Sequence, residues 1–173
     1  DVKISEGGAL MAVTVQDNLA RTVTEVLNAA IAISHAEKSW KPKTHEQKFI
    51  ATVGRELEAV AGKKLQRNIT VSGVSGHQIK FPFAIDDPVA GRQFIQPVAY
   101  GDERVDWGNV YKASGQMFDL KSAGAEEFQR IVIVEDSPGD EELGKAVTLL
   151  SYTAKVLLFS HRAQWLPRFR RAA

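Results

Sequence analysis

The spacing of apolar positions changes several times along this chain, and each change marks an element. Residues 2–4 and 9–15 are short β-prone runs flanking Glu6-Gly7-Gly8, the pattern of a small hairpin turned on glycine. Leu19, Val23, Val26, Leu27, Ala30 and Ile31 then recur at helical spacing behind Asp17, which predicts a capped helix ending near Ala36. Residues 38–43, with Trp40 and Pro42, read as a basic connection. Thr44 and Gln47 form a capping-box pair, and Phe49, Ile50, Val53, Leu57 and Val60 continue as a helix that Gly62 stops.

From there the period shortens to two. Residues 64–72 are rich in β-formers, Gly73 and Gly76 punctuate them, and residues 77–85 alternate. That alternation puts Ile79, Phe81, Phe83 and Ile85 on one face of a strand. Asp86-Asp87-Pro88 ends it, and residues 92–100 predict a third strand. Residues 105–120 predict a helix with Trp107, Val110, Tyr111, Met117 and Phe118 on one side, although Gly108 and Gly115 each cost about 1 kcal/mol relative to alanine. Residues 130–134 form a short buried strand, and Ser137-Pro138-Gly139-Asp140 turns the chain. Residues 141–164 predict a helix with Leu143, Val147, Leu150, Ala154 and Leu157 on one face, with a strand over residues 155–159 as the alternative. There is no internal repeat.

The 173 residues are 44% hydrophobic and 25% charged, which fits one soluble α/β domain with a mixed central sheet flanked by helices. Residues 1–43 are expected to be a hairpin-and-helix extension, and residues 44–173 the core, together one compact domain. No apolar run is long enough for a membrane span and no signal-peptide pattern is visible, so a cytoplasmic location away from membranes is expected. Asp1 is not an initiator methionine, which is compatible with a fragment or a processed chain. The absence of cysteine excludes disulfides, thiolate zinc sites and cysteine nucleophiles.

From residue 44 the predicted order is helix, three strands, helix, strand, helix. Within it, residues 75–85 read S-G-x-x-x-x-F-x-F-x-I. This stretch resembles a domain family of unassigned function from bacterial and prophage proteins, whose members often carry an aspartate between the two phenylalanines. That family is similar to a distant branch of the restriction-endonuclease-like fold, with its α-β-β-β-α-β core. The resemblance implies an aspartate on the second strand and an acid-x-lysine pair on the third, holding a divalent ion beside the attacking water. Here Pro82 stands in the first position and Gln96-Pro97-Val98 in the second. The scaffold is implied and its chemistry is missing. A relocated metal-dependent nuclease site would draw on Asp86, Asp87 and Glu56 and would need Mg²⁺ or Mn²⁺; no other cofactor is expected. Asp102, Glu58 and Asp119-x-Lys121 are further acids near the core, each with an ordinary turn or helix explanation.

Other constellations carry less. Gly73-Val74-Ser75-Gly76 lacks the last spacing of a nucleophile elbow and precedes a strand, so a β-turn explains it better. The four histidines form no ligand motif and no phosphate-binding glycine loop is present. Net charge is +1, but its distribution is uneven. Residues 135–142 hold five acids, expected as the charged first turn of a helix or as a docking patch for a basic partner. The tail offers Arg162, Arg168, Arg170 and Arg171 for phosphates, with Trp165 and Phe169 to stack on bases; Lys63, Lys64, Arg67 and the connection over residues 38–43 extend that surface. The alternative is a fraying end with Trp165 folded onto the core. The leading expectation is a non-catalytic binding protein of bacterial or phage origin, acting in phage–host conflict on a protein partner or a nucleic acid. A third possibility is a subunit whose partner covers the apolar residues of the first helix.

Overall fold

The computed structural model describes residues 2–4, 9–40, 44–88, 91–101, 104–137 and 140–170, the side chains of residues 35–40 excepted. The chain divides into two compact units, Asp1–Pro42 and Lys43–Ala173.

In the first unit β1 (Lys3–Ile4) pairs antiparallel with β2 (Leu10–Met11), the hairpin that the glycine pair predicts. A 3-10 turn over Gln16–Asn18 leads into α1 (Leu19–Trp40). Asp17 lies inside that turn, and the cap position is Val15, which has no side-chain oxygen to offer. The helix also continues to Trp40 rather than Ala36, because nothing in residues 36–40 breaks it.

The second unit runs α2 (His45–Ala61), β3 (Leu65–Ser72), β4 (Gln78–Asp87), β5 (Gly91–Val98), α3 (Trp107–Ser122), β6 (Arg130–Val134), α4 (Glu141–Ser151), β7 (Lys155–Leu158) and α5 (Arg162–Trp165). Its sheet has the order β3-β4-β5-β6-β7, antiparallel across the first three strands and parallel across the last three. The helix, three-strand, helix, strand order expected from the sequence is therefore the order found, on a mixed α/β sheet.

Local chemistry sets the boundaries. Thr44 and Gln47 cap α2 reciprocally, and Gly62 closes it at φ 55°, a conformation that costs glycine little. One sheet face packs Phe49, Val53 and Leu57 of α2 against Phe83, Ile95, Ile131 and Leu157. The other packs α3 and α4 against Val98, Val132 and Val134. β6 is buried on both faces, which is why it reads as an unbroken apolar run.

Three expectations change. Ile79 and Phe81 join the cluster on the α3 side, whereas Phe83 and Ile85 join the cluster under α2, so the four do not share a face. The ladder is interrupted between them: Asn68 has φ 54° and forms no pair with Pro82, which has no amide to give. On α3 the inward stripe is Val110, Ala113, Met117 and Leu120, while Tyr111 and Phe118 are exposed. Finally, α4 stops at Ser151, and Lys155–Leu158 is a strand. Thr153 and Ala154 donate back to the Leu150 carbonyl, and the released segment gains a ladder along β6 that a helix would forgo.

Candidate functional site

The β4–β5 ladder ends at the pair Phe83–Ile95, and Pro82 and Gln96 lie just beyond it on the two strands. These are the positions that the nuclease resemblance reserves for carboxylates. Gln96 is 8% exposed and donates from Nε2 to the Pro97 carbonyl at 3.0 Å. Val98, in the place of a lysine, is packed among the α3-side apolar residues. Neutral side chains occupy each of the three places, Gln96 and Val98 buried and Pro82 half-buried.

Asp86, Asp87 and Glu56 do not replace them. Asp86 accepts two bonds from Arg92, at 2.7 and 3.1 Å, and one from Gln66 at 2.6 Å. The Arg92 guanidinium, through those bonds and its charge, holds this carboxyl below the usual range. Asp87, at the end of β4, is engaged as well. Glu56 lies on α2, 3.9 Å from Arg162. Among the described residues no three histidine, aspartate or glutamate side chains gather as a metal-binding group. Asp102 lies outside the described residues. Glu58 pairs with Arg67 at 2.9 Å, and Lys121 donates to the Tyr152 carbonyl.

Asp119 has a structural use instead. Ser75 donates to it from the amide at 2.9 Å and from the hydroxyl at 2.6 Å, which ties the β3–β4 tip to α3. Those bonds hold the Asp119 carboxyl below its ordinary value, with the hydroxyl bond contributing most. Gly73 makes the approach possible, because a Cβ there would lie 1.8 Å from the Asp119 carboxylate. The Gly73-to-Gly76 stretch is thus a turn, and the Ser75 hydroxyl is committed.

The tail divides by side. Trp165 is 3% exposed and Phe169 6%, their rings meet edge-on at 6.1 Å, and the Trp165 indole donates to the Leu158 carbonyl at 2.8 Å. Stacking of these two rings on bases is therefore corrected: both are core residues. Their spacing of four was the available signal, since it puts both on one side of a helical turn. Arg162 lies over the Phe159 ring at 5.0 Å. Arg168 and Arg170 are exposed, and Arg171 lies outside the described residues. Arg67 also covers Phe83, at 5.4 Å, and with Lys48 and Arg55 it lines a shallow basic depression beside α2.

The acidic residues near the ends of the parallel strands are mostly paired. Glu135 accepts from the Tyr100 amide at 2.9 Å and lies 2.6 Å from His45 Nε2. Asp140 caps α4 and accepts from the Tyr100 hydroxyl. Glu142 accepts from Trp107 Nε1 at 3.1 Å and pairs with Lys145, which keeps its carboxyl low. Asp136 accepts from the Ser160 amide. Asp140, Glu141 and Glu142 form the charged start of α4, whereas Glu135 and Asp136 precede it and hold neighbouring segments.

Within the first unit, α1 exposes a row of apolar side chains: Leu19 at 55%, Val23 at 49%, Leu27 at 58% and Ile31 at 55%. No helix among the described residues is long and apolar enough to cross a membrane. No family model, curated protein or solved structure matches the chain.

Proposed function

We propose that this chain is a non-catalytic binding protein whose partner is another protein. The reading rests on the α1 row. Leu19, Val23, Leu27 and Ile31 stand four residues apart and about half exposed. Between Leu19 and Ser34 the only charges are Arg21 and Glu25, which neutralise each other at 3.1 Å. The row leaves on the order of 300 Å² of apolar surface in one strip, the size of the largest patch on a typical monomer, which is often functional. The tail argues in the same direction, because the rings that would stack on bases are core residues. A setting in phage–host conflict belongs to this proposal through the family resemblance alone.

The test is capture from a bacterial lysate by the purified chain, compared with the double variant Val23→Asp and Leu27→Asp. Labelled single- and double-stranded DNA and RNA are incubated alongside, with Mn²⁺ and with EDTA. The expected result is saturable capture of a protein that the double variant loses, with no cleavage. Metal-dependent cleavage, or nucleic-acid retention that falls steeply with salt, overturns the reading. So does capture that the double variant leaves intact.

A further inference from the structure

β7 is an edge of the sheet, and its outward backbone groups can be identified residue by residue. The Glu135 amide donates to the Val98 carbonyl, so alternate residues of β6, Ile131 and Ile133, also turn their backbone groups to β5. Val132 and Val134 turn theirs to β7, where Lys155 and Leu157 meet them. Val156 and Leu158 therefore point their N–H and C=O groups outward. Trp165 Nε1 satisfies the Leu158 carbonyl. The Val156 amide and carbonyl and the Leu158 amide have no partner among the described residues.

The edge is not a bare rim. It lies in a cleft of about 340 Å³, with Val147 and Val156 on the α4 side and Leu157, Trp165 and Arg168 on the α5 side. A second cleft on the α5 side continues past Arg168 to Lys155 and Phe128. Neither Arg168 nor Lys155 has an ion-pair partner among the described residues, and no acid lines either cleft. The opposite edge, β3, is unlike this: Asn68 breaks its ladder at φ 54° and Arg67 and Asn68 line it with polar side chains.

We propose that the β7 edge binds an extended segment of a protein partner as an added strand, with apolar and acidic residues alternating. This rests on the reading of the chain as a protein-binding module and names the chemistry of its ligand. Added-strand recognition takes its affinity from backbone hydrogen bonds and its specificity from pockets for alternate side chains. Side chains on the α4 side of the added strand meet Val147 and Val156 and must be apolar. Those on the α5 side meet Arg168 and Lys155 and must be acidic. A second copy of this chain fits poorly, because pairing β7 with itself sets two basic rims together.

The experiment uses the full chain and three short fluorescein-labelled peptides. One alternates valine and glutamate, one alternates valine and lysine, and one is the glutamate peptide with alternate amides N-methylated. Anisotropy reads binding, and amide exchange by NMR reads the place. The glutamate peptide is expected to bind and to slow exchange at Val156 and Leu158. The lysine and N-methylated peptides are expected to bind about tenfold more weakly, the loss of roughly one or two hydrogen bonds or charge pairs. Arg168→Glu, an exposed change, should shift preference toward the lysine peptide by about threefold to tenfold. Protection elsewhere, equal binding of the N-methylated peptide, or protection of Val156 in a dimer without peptide each overturn the proposal. Displacement of the bound peptide from this edge by single-stranded DNA does so too. The Val23→Asp, Leu27→Asp variant should bind the glutamate peptide normally. Failure of the peptide with α1-dependent capture intact removes the edge site and leaves the protein-binding reading standing.

Discussion

Truncating Trp165 separates a structural tail from a binding tail. The ring is 3% exposed, packs on Phe169, and donates to the Leu158 carbonyl. Burying a ring of this size removes about 200 Å² from water, worth about 5 kcal/mol at 25 cal/mol per Å² as an upper estimate. Measured tryptophan-to-alanine changes in cores cost about 3–5 kcal/mol, which agrees. Trp165→Ala should therefore lower stability by about 3–5 kcal/mol and the thermal midpoint by about 10–20 °C. Trp165→Phe keeps most of the packing, loses the indole N–H, and should cost about 1–2 kcal/mol. Arg168→Ala and Arg170→Ala, at exposed positions, should stay within about 0.5 kcal/mol of the parent. Urea titrations followed by far-UV circular dichroism, with the slope checked for constancy, measure all four. A Trp165→Ala loss below about 1 kcal/mol would show that the ring does not belong to the core and would return it to the binding surface.

Gly73→Ala drives a methyl into the Asp119 carboxylate and should release the β3–β4 tip, seen as faster amide exchange at Ser75. The folded-state Asp119 carboxyl is held low, so its contribution is complete above about pH 4 and is lost as pH falls through the depressed value; Asp119→Asn should flatten that limb of the stability profile. Millimolar Mn²⁺ should leave the thermal midpoint unchanged, since no described carboxylates cluster, and a saturable rise would revive a metal site. Val23→Asp with Leu27→Asp should leave stability within about 1 kcal/mol, because both side chains are already half in water, while capture is lost; a large drop in midpoint would show that the row is covered within the chain.

What the sequence made legible was local. Thr44 and Gln47 bond within three residues of each other, so the start of α2 needs nothing from the rest of the chain. Residues 130–134 read as a short buried strand from their length and β-branching, and β6 is that strand. Lys155–Leu158 was ambiguous because its three apolar residues satisfy both periods, and only β6 alongside decides for the strand. Trp165 and Phe169 looked like stacking rings because arginines surround them in sequence; in space the rings are buried in the core while Arg162, Arg168 and Arg170 stay exposed. The β7 edge was illegible altogether, since strand order is a property of the assembled sheet.

Pro82 joins these two kinds of information. Its place in the sequence, between two phenylalanines, marks it as the missing acid of the nuclease resemblance. Its place in the fold shows a second consequence: without an amide it leaves Asn68 unpaired, and the inward face of β4 changes from Phe81 to Phe83 at that point. One residue thus both leaves this position without a carboxylate and re-aims the hairpin toward α3. Placing an acid there with Pro82→Asp supplies an amide to the ladder as well, so the variant alters the face on which a metal ligand would stand. This single substitution is therefore not expected to create metal-dependent nuclease chemistry here, since Gln96 and Val98 would still place an amide and an apolar side chain where an ion and an attacking water would need charge.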